Sequence, residues 1–159
     1  SQEEIDMAAR MFAQGLIDLG MGVVLWKASG GSTVKAQLTG DPGADGGGYD
    51  AALDPDGHDY LNDTSSHEIG SLTDPTLTLA DPAIGSVKKV KFDATNDLTF
   101  SSVPSGHTAE GVIIYKDTGV ASTSTLIAWC KFSNPVATDG SDITVAFHSE
   151  GVFELVFDA

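Results

Sequence analysis

Residues 91–132 read KFDATNDLTFSSVPSGHTAEGVIIYKDTGVASTSTLIAWCKF. Two apolar runs, Gly111–Tyr115 and Leu126–Trp129, flank a turn of small and polar residues, Lys116 to Ser124. Short β-branched runs separated by such a turn predict an antiparallel hairpin with a long loop. Upstream, Val90-Lys91-Phe92-Asp93 leads through a Thr/Asn/Asp turn to Leu98-Thr99-Phe100, two further short strands. Nothing in the stretch is catalytic in kind. It speaks of architecture first.

Outward from this hairpin, strands and turns alternate to the C-terminus. Strands are expected at Ser66–Ile69, Thr76–Ala80, Val87–Asp93, Leu98–Phe100, Ala109–Lys116, Thr125–Phe132, Asp142–His148 and Gly151–Phe157. Ile143, Val145 and Phe147 share one face, and so do Phe153, Leu155 and Phe157, by the two-residue period of a strand. Asp74-Pro75, Asp81-Pro82 and Asn134-Pro135 punctuate the series. Short strands at this spacing predict one mostly β domain over 1–159, an antiparallel β-sandwich of jelly-roll or Ig-like type. The expected core is Val24, Trp26, Phe92, Phe100, Val112, Ile114, Ile127, Trp129, Val145, Phe147, Phe153 and Leu155.

Toward the N-terminus the period changes. Ile5, Ala8, Phe12, Leu16 and Leu19 recur at helical spacing. Ser1-Gln2-Glu3-Glu4 has the form of a capping box, and Gly20 is placed to end the helix. These predict a helix over 1–20, with Gly15 as a weak point inside it. Gly22–Ala28 and Val34–Thr39 then read as a second hairpin. Between 40 and 64 lies GDPGADGGGYDAALDPDGHDYLNDT, acidic, rich in Gly and Asp and free of Lys and Arg. A loop of this length in a compact domain is usually functional or mobile.

The central stretch resembles a family of small virion-associated structural proteins of tailed bacteriophages, with a hairpin like VIYKDTGTASTSPLIA. The residues that carry the likeness are Phe92-Asp93-Ala94, Phe100-Ser101-Ser102 and Glu110 to Ser124, and the last strands fit as well. The likeness covers roughly 76–157, and Thr125 stands where proline is common in the pattern. It implies a non-enzymatic structural protein of the virion, synthesised in a host cytoplasm and carried on the particle's outer surface. A capsid decoration or cement protein is the first expectation, and a tail, fibre or receptor-binding module the alternative. The implied partners are other virion proteins, the major capsid protein foremost. Symmetric positions on a particle imply a homo-oligomer or repeated copies.

Composition narrows the partners independently. The 159 residues carry 23 acidic and eight basic side chains, a net charge of −15. Nucleic-acid backbones and anionic membrane surfaces need concentrated Lys and Arg, so neither is an expected partner. An acidic protein is also repelled by packaged DNA, which favours an outer surface. The one cysteine, Cys130, allows no intramolecular disulfide and reads as a small apolar strand residue. No run approaches the ~20 apolar residues of a membrane helix, and the N-terminus lacks the pattern of a secretory signal.

Candidate chemistry is sparse. Asp54, Asp56 and Asp59 are the weak candidates for a cation, but the calcium-loop spacing fails, with His58 and Asp59 at the fifth and sixth positions and Ser65 at the twelfth. His58, His67, His107 and His148 lack zinc spacing, although His58 and His67 could meet across a loop. No nucleophile elbow or phosphate loop is present. No cofactor is expected, and a hydrolase built on scattered carboxylates is the weakest reading. Lys88, Lys89 and Lys91 form the one basic cluster, read as a solvated strand face, a contact to an acidic partner or the protection of an edge strand. Two segments are free to touch a partner. The helix offers Ile5, Phe12, Leu16 and Leu19, and the loop offers Tyr49, Leu53, Tyr60 and Leu61. The loop is the expected scaffold contact, and the helix part of the fold.

Overall fold

The structure, a computed structural model, describes residues 2–4, 10–41, 58–85 and 88–156. The protein is mostly β, with 43% of residues in strands and antiparallel pairing dominant. Ten strands are described: β1 (Gln2–Glu4), β2 (Arg10–Met11), β3 (Val34–Asp41), β4 (Ala83–Ile84), β5 (Lys89–Phe92), β6 (Leu98–Phe100), β7 (Thr108–Lys116), β8 (Leu126–Ala137), β9 (Ile143–Ala146) and β10 (Phe153–Val156). One α-helix, α1 (Ala13–Gly20), and two 3-10 helices, Leu61–His67 and Ala121–Thr123, complete the set.

The expected hairpin is the centre of the molecule. β7 and β8 pair antiparallel, with Val112 opposite Cys130 and Ile114 opposite Ala128. β3 joins the free side of β7 and β2 the free side of β8, giving the order β2-β8-β7-β3. Gly111–Tyr115 and Leu126–Cys130 are buried without a break. Their apolar runs do not alternate because the sheet is covered on both faces, as continuous runs in a strand imply. On one face Val112, Ile114, Ala128, Cys130 and Phe132 enter the main core; on the other Ile113, Tyr115, Leu126 and Trp129 pack around Phe12 and Leu61. Where β3 shifts register at Thr39/Gly40, a Cβ on Gly40 would overlap the carbonyl oxygen of Thr108, so only glycine fits the bulge.

Two three-stranded sheets supply the rest of the main core. In β1-β9-β6, Ile143 and Val145 point inward with Leu98 and Phe100. In β10-β5-β4, Phe92 and Phe153 stack at 4.7 Å, and Trp26 meets both rings edge-on. Ten of the twelve expected core residues are buried; Phe147 and Leu155 are partly buried at its margin.

Four expectations are corrected. The helix does not run over 1–20: Gln2–Glu4 lies parallel to β9 and Arg10–Met11 pairs with β8, so helix begins only at Ala13, after Phe12 with no side-chain cap. Gly22–Ala28 is not a strand and forms no hairpin with β3, which pairs with β7 instead. Its alternation is real, with Val24 and Trp26 buried and Val23 and Leu25 exposed. But its amides are taken elsewhere: Val23 and Val24 donate to the carbonyl of Asp18, Leu25 to Ser32 Oγ and Ala28 to Asp81 Oδ1. Ser66–Ile69 and Thr76–Ala80 are not strands either. Half of the first is the end of a 3-10 helix, and the second makes only isolated bridges. Finally, the basic cluster does not guard an edge. β5 is the middle strand of its sheet; Lys89 pairs with Glu154 at 3.1 Å, and Lys91 lies 3.9 Å from Asp93.

The open edge of β3 is covered rather than exposed. Ile69 donates to Leu38, Ala36 to Pro75 and Leu77 to Val34, so both ends of the segment 68–77 are bonded to β3 without forming a strand. This protects an edge that would otherwise template pairing with another chain.

Candidate functional site

The expected contact residues separate into three groups. Ile5, Tyr49 and Leu53, with the candidate cation ligands Asp54 and Asp56, lie outside the described residues. Phe12, Tyr60 and Leu61 belong to the fold. Phe12 is fully buried and its amide donates to Ile127. Tyr60 bridges to Thr125, and Leu61 donates to Ser124 and packs on the cluster around Phe12. The end of the acidic loop is therefore anchored, not free. Asp59 is tied there as well, its carbonyl accepting from Leu126 and its amide donating to Asp63. Leu16 alone of the described candidates faces solvent.

The reason is that α1 sits inverted. Its buried positions are Gly15 and Asp18. A Cβ on Gly15 would overlap the carbonyl oxygen of Leu126, so the helix lies directly on the backbone of β8. Asp18 turns toward the sheet, where its carboxylate accepts from Thr125 Oγ1 at 2.7 Å and from Gln14 Nε2 at 2.7 Å. Thr125 thus supplies the hydroxyl that satisfies a buried acid. Leu19 packs on the main core, but the rest of the helix's apolar side is left outward: Leu16 is 46% exposed, Ile17 52% and Met21 74%, continued by Val23 at 44% and Leu25 at 43%. An amphipathic helix ordinarily buries that stripe.

The KDTG turn is structural. Gly119 donates to Asp117 Oδ1, Thr118 to Ser124 Oγ, and Ser124 Oγ to the carbonyl of Val120. The Thr118 hydroxyl lies 2.6 Å from that of Thr123. The loop so satisfies its own polar groups. Its flanks then hold neighbours: Lys116 Nζ donates to the carbonyl of Val23 at 2.6 Å, pinning the segment after α1, and Asp117 pairs with Lys35 at 2.7 Å. That ion pair, with Gly119 donating a further bond, holds the Asp117 carboxyl below its usual range.

One partly buried acid stands out, with no motif around it in the sequence. Tyr115 donates from its hydroxyl to Asp74 Oδ2 at 2.7 Å, whereas Asp74 Oδ1 has no hydrogen-bond partner among the described residues. Burial pushes the Asp74 carboxyl up to about 6, against the bond from Tyr115 and the attraction of Lys35. Burial, with Asp74 nearby, also raises Glu68, and burial and Asp74 raise the Tyr115 phenol. Perturbed acids are candidates for proton chemistry. Yet Asp74 accepts from a phenol held protonated and does not line the depression described beside it. That depression, about 240 Å³, is lined by Thr73, Pro75, Thr99 and Ser101, none of which titrates near neutrality.

The remaining candidates stay apart. His58 and His67 do approach, their rings 6.4 Å between centroids, but among the described residues no three His, Cys, Asp or Glu side chains are grouped to hold a metal ion. His107 and His148 lie in separate turns, the first donating its amide to Thr138 and the second accepting from the amide of Glu150. Cys130 is buried, donating weakly to the carbonyl of Val152, and burial pushes its thiol up to about 12. No described helix is long and apolar enough to cross a membrane. No protein-family model, curated protein or solved structure matches the chain.

Proposed function

We propose that the chain is a non-enzymatic structural protein of a tailed-phage virion, a decoration or cement protein on the outer shell, in contact with the major capsid protein. The observation that carries this reading is the outward apolar side of α1 on a protein of net charge −15. An adhesive face on an otherwise highly charged surface suits a subunit that is soluble alone and docks on a scaffold. The phage-like hairpin supports it, because its most specific residues build the turn that pins this face in place. A receptor-binding module would be expected to present exposed aromatic side chains. Among the described residues the exposed large apolar side chains are Leu, Ile, Met and Val, with no aromatic.

Quantitative mass spectrometry of purified particles of the phage that encodes the chain tests the reading. Hundreds of copies per particle are expected. A handful would move the protein to the tail or fibre, and absence from the particle would overturn the reading.

A further inference from the structure

We infer that the docking face is the outward side of α1 with the turn after it, Leu16, Ile17, Met21, Val23 and Leu25, and that it takes an apolar cleft flanked by Lys and Arg on a different protein. This rests on the shell-protein reading; most of the acidic loop, the contact expected from the sequence, lies outside the described residues.

Two features of the chain point to a face built for contact. First, the polarity of α1 is reversed: it hides an aspartate and a glycine against β8 and shows leucine and isoleucine to solvent. The reversal is not slack, since Asp18 is held by Thr125 and Gln14, and Gly15 lies on the β8 backbone. The turn that follows is fixed too, by Lys116 on Val23 and by the Asp18 carbonyl. The backbone that carries the five side chains is therefore preorganised, which lowers the ordering cost of binding. Second, the patch lies in a window poor in charge, where positions 11–40 carry Asp18, Lys27 and Lys35 alone. Asp18 is the sole acidic residue between positions 11 and 40, and all others of the 23 lie outside. Depletion of charge at the centre is the compositional mark of an interface.

Charge also chooses the occupant. A second copy would bring another −15 against the first. A partner with a cationic rim is drawn by the same field that keeps copies apart. The apolar patch then supplies the contact and the protein's net negative charge the steering.

The experiment uses the full chain and particles purified from phage lacking its gene. Wild-type protein is expected to bind at saturable sites, to sediment alone as a monomer, and to bind several-fold more weakly when NaCl is raised from about 50 to about 500 mM. The variant Leu16→Ser/Ile17→Ser/Met21→Ser is expected to keep its melting temperature and lose at least tenfold in affinity. Should it fail to fold, Val23→Ser/Leu25→Ser, from the same patch, gives the same readout. Unchanged binding by a folded variant overturns the docking face and leaves the shell reading standing. Binding indifferent to salt overturns the cationic rim. A wild-type dimer that the substitutions dissolve makes the occupant a second copy and overturns the heterologous partner. Wild-type protein that does not bind particles overturns the shell reading, and this docking partner with it.

Discussion

Gly15, Asp18 and Thr125 fix the position of α1, and each makes a separate demand. Gly15→Ala puts a methyl group into the carbonyl oxygen of Leu126. It should destabilise by about 2 kcal/mol, as overpacking does, although alanine favours helix over glycine. A urea titration in which Gly15→Ala is neutral or stabilising would contradict the close approach. Cys130, buried and with its thiol pushed up to about 12, should resist a thiol reagent at pH 8 until the protein unfolds. Rapid labelling of the native protein would place it elsewhere. Asp74 gives a pH dependence with a definite sign. Its folded-state value, about 6, is above the ordinary 3.8, so the folded protein holds the proton more tightly than the unfolded chain. Its contribution is fully present below about pH 3.8 and is lost as pH rises through 6, and Glu68 acts in the same direction. Asp74→Asn, which can still accept from Tyr115, should therefore gain on wild type between pH 4 and 7, by about 1–2 kcal/mol after allowance for partial exposure. A difference that stays flat with pH would contradict the burial of this carboxyl.

Among the elements, the β7–β8 hairpin was legible because both signals were local: two apolar runs and a turn that satisfies itself. Thr118→Val, which removes the hydroxyl bonded to Val120 and close to Thr123 and Ser124, should destabilise by about 1 kcal/mol. No change in the denaturant midpoint would show that the turn does not depend on that network. The segment 22–28 was half legible. Its alternation named Val24 and Trp26 as buried, but a strand needs a partner, and Asp18, Ser32 and Asp81 took its amides. The N-terminal stripe misled for a related reason. Ile5, Phe12, Leu16 and Leu19 share a helical period, yet Arg10–Met11 is captured by the edge of β8, and tertiary pairing overrides local propensity there. The outward patch could not be read at all from periodicity, since the inversion of α1 depends on a hydroxyl more than a hundred residues away, on Thr125. The Asp74–Tyr115 contact was hidden likewise, 41 residues apart and without a motif.

At the scale of the whole molecule, a sheet buried on both faces carries a covered edge, a sealed turn and, among the described residues, exposed apolar side chains on α1 and the turn after it, on an acidic body. The strand class and most of the core followed from alternation and spacing. The division into three sheets did not, because it depends on which distant strands meet. What the arrangement leaves unsatisfied is the side of α1 that faces away from β8, and the proposed shell function follows from that face. A cryo-electron microscopy reconstruction of the particle would test this most directly. The account predicts this fold in repeated copies on the outer shell, with Leu16, Ile17 and Met21 against the capsid protein beside its Lys or Arg side chains. Copies confined to the tail, or α1 turned to solvent on the shell, would contradict it.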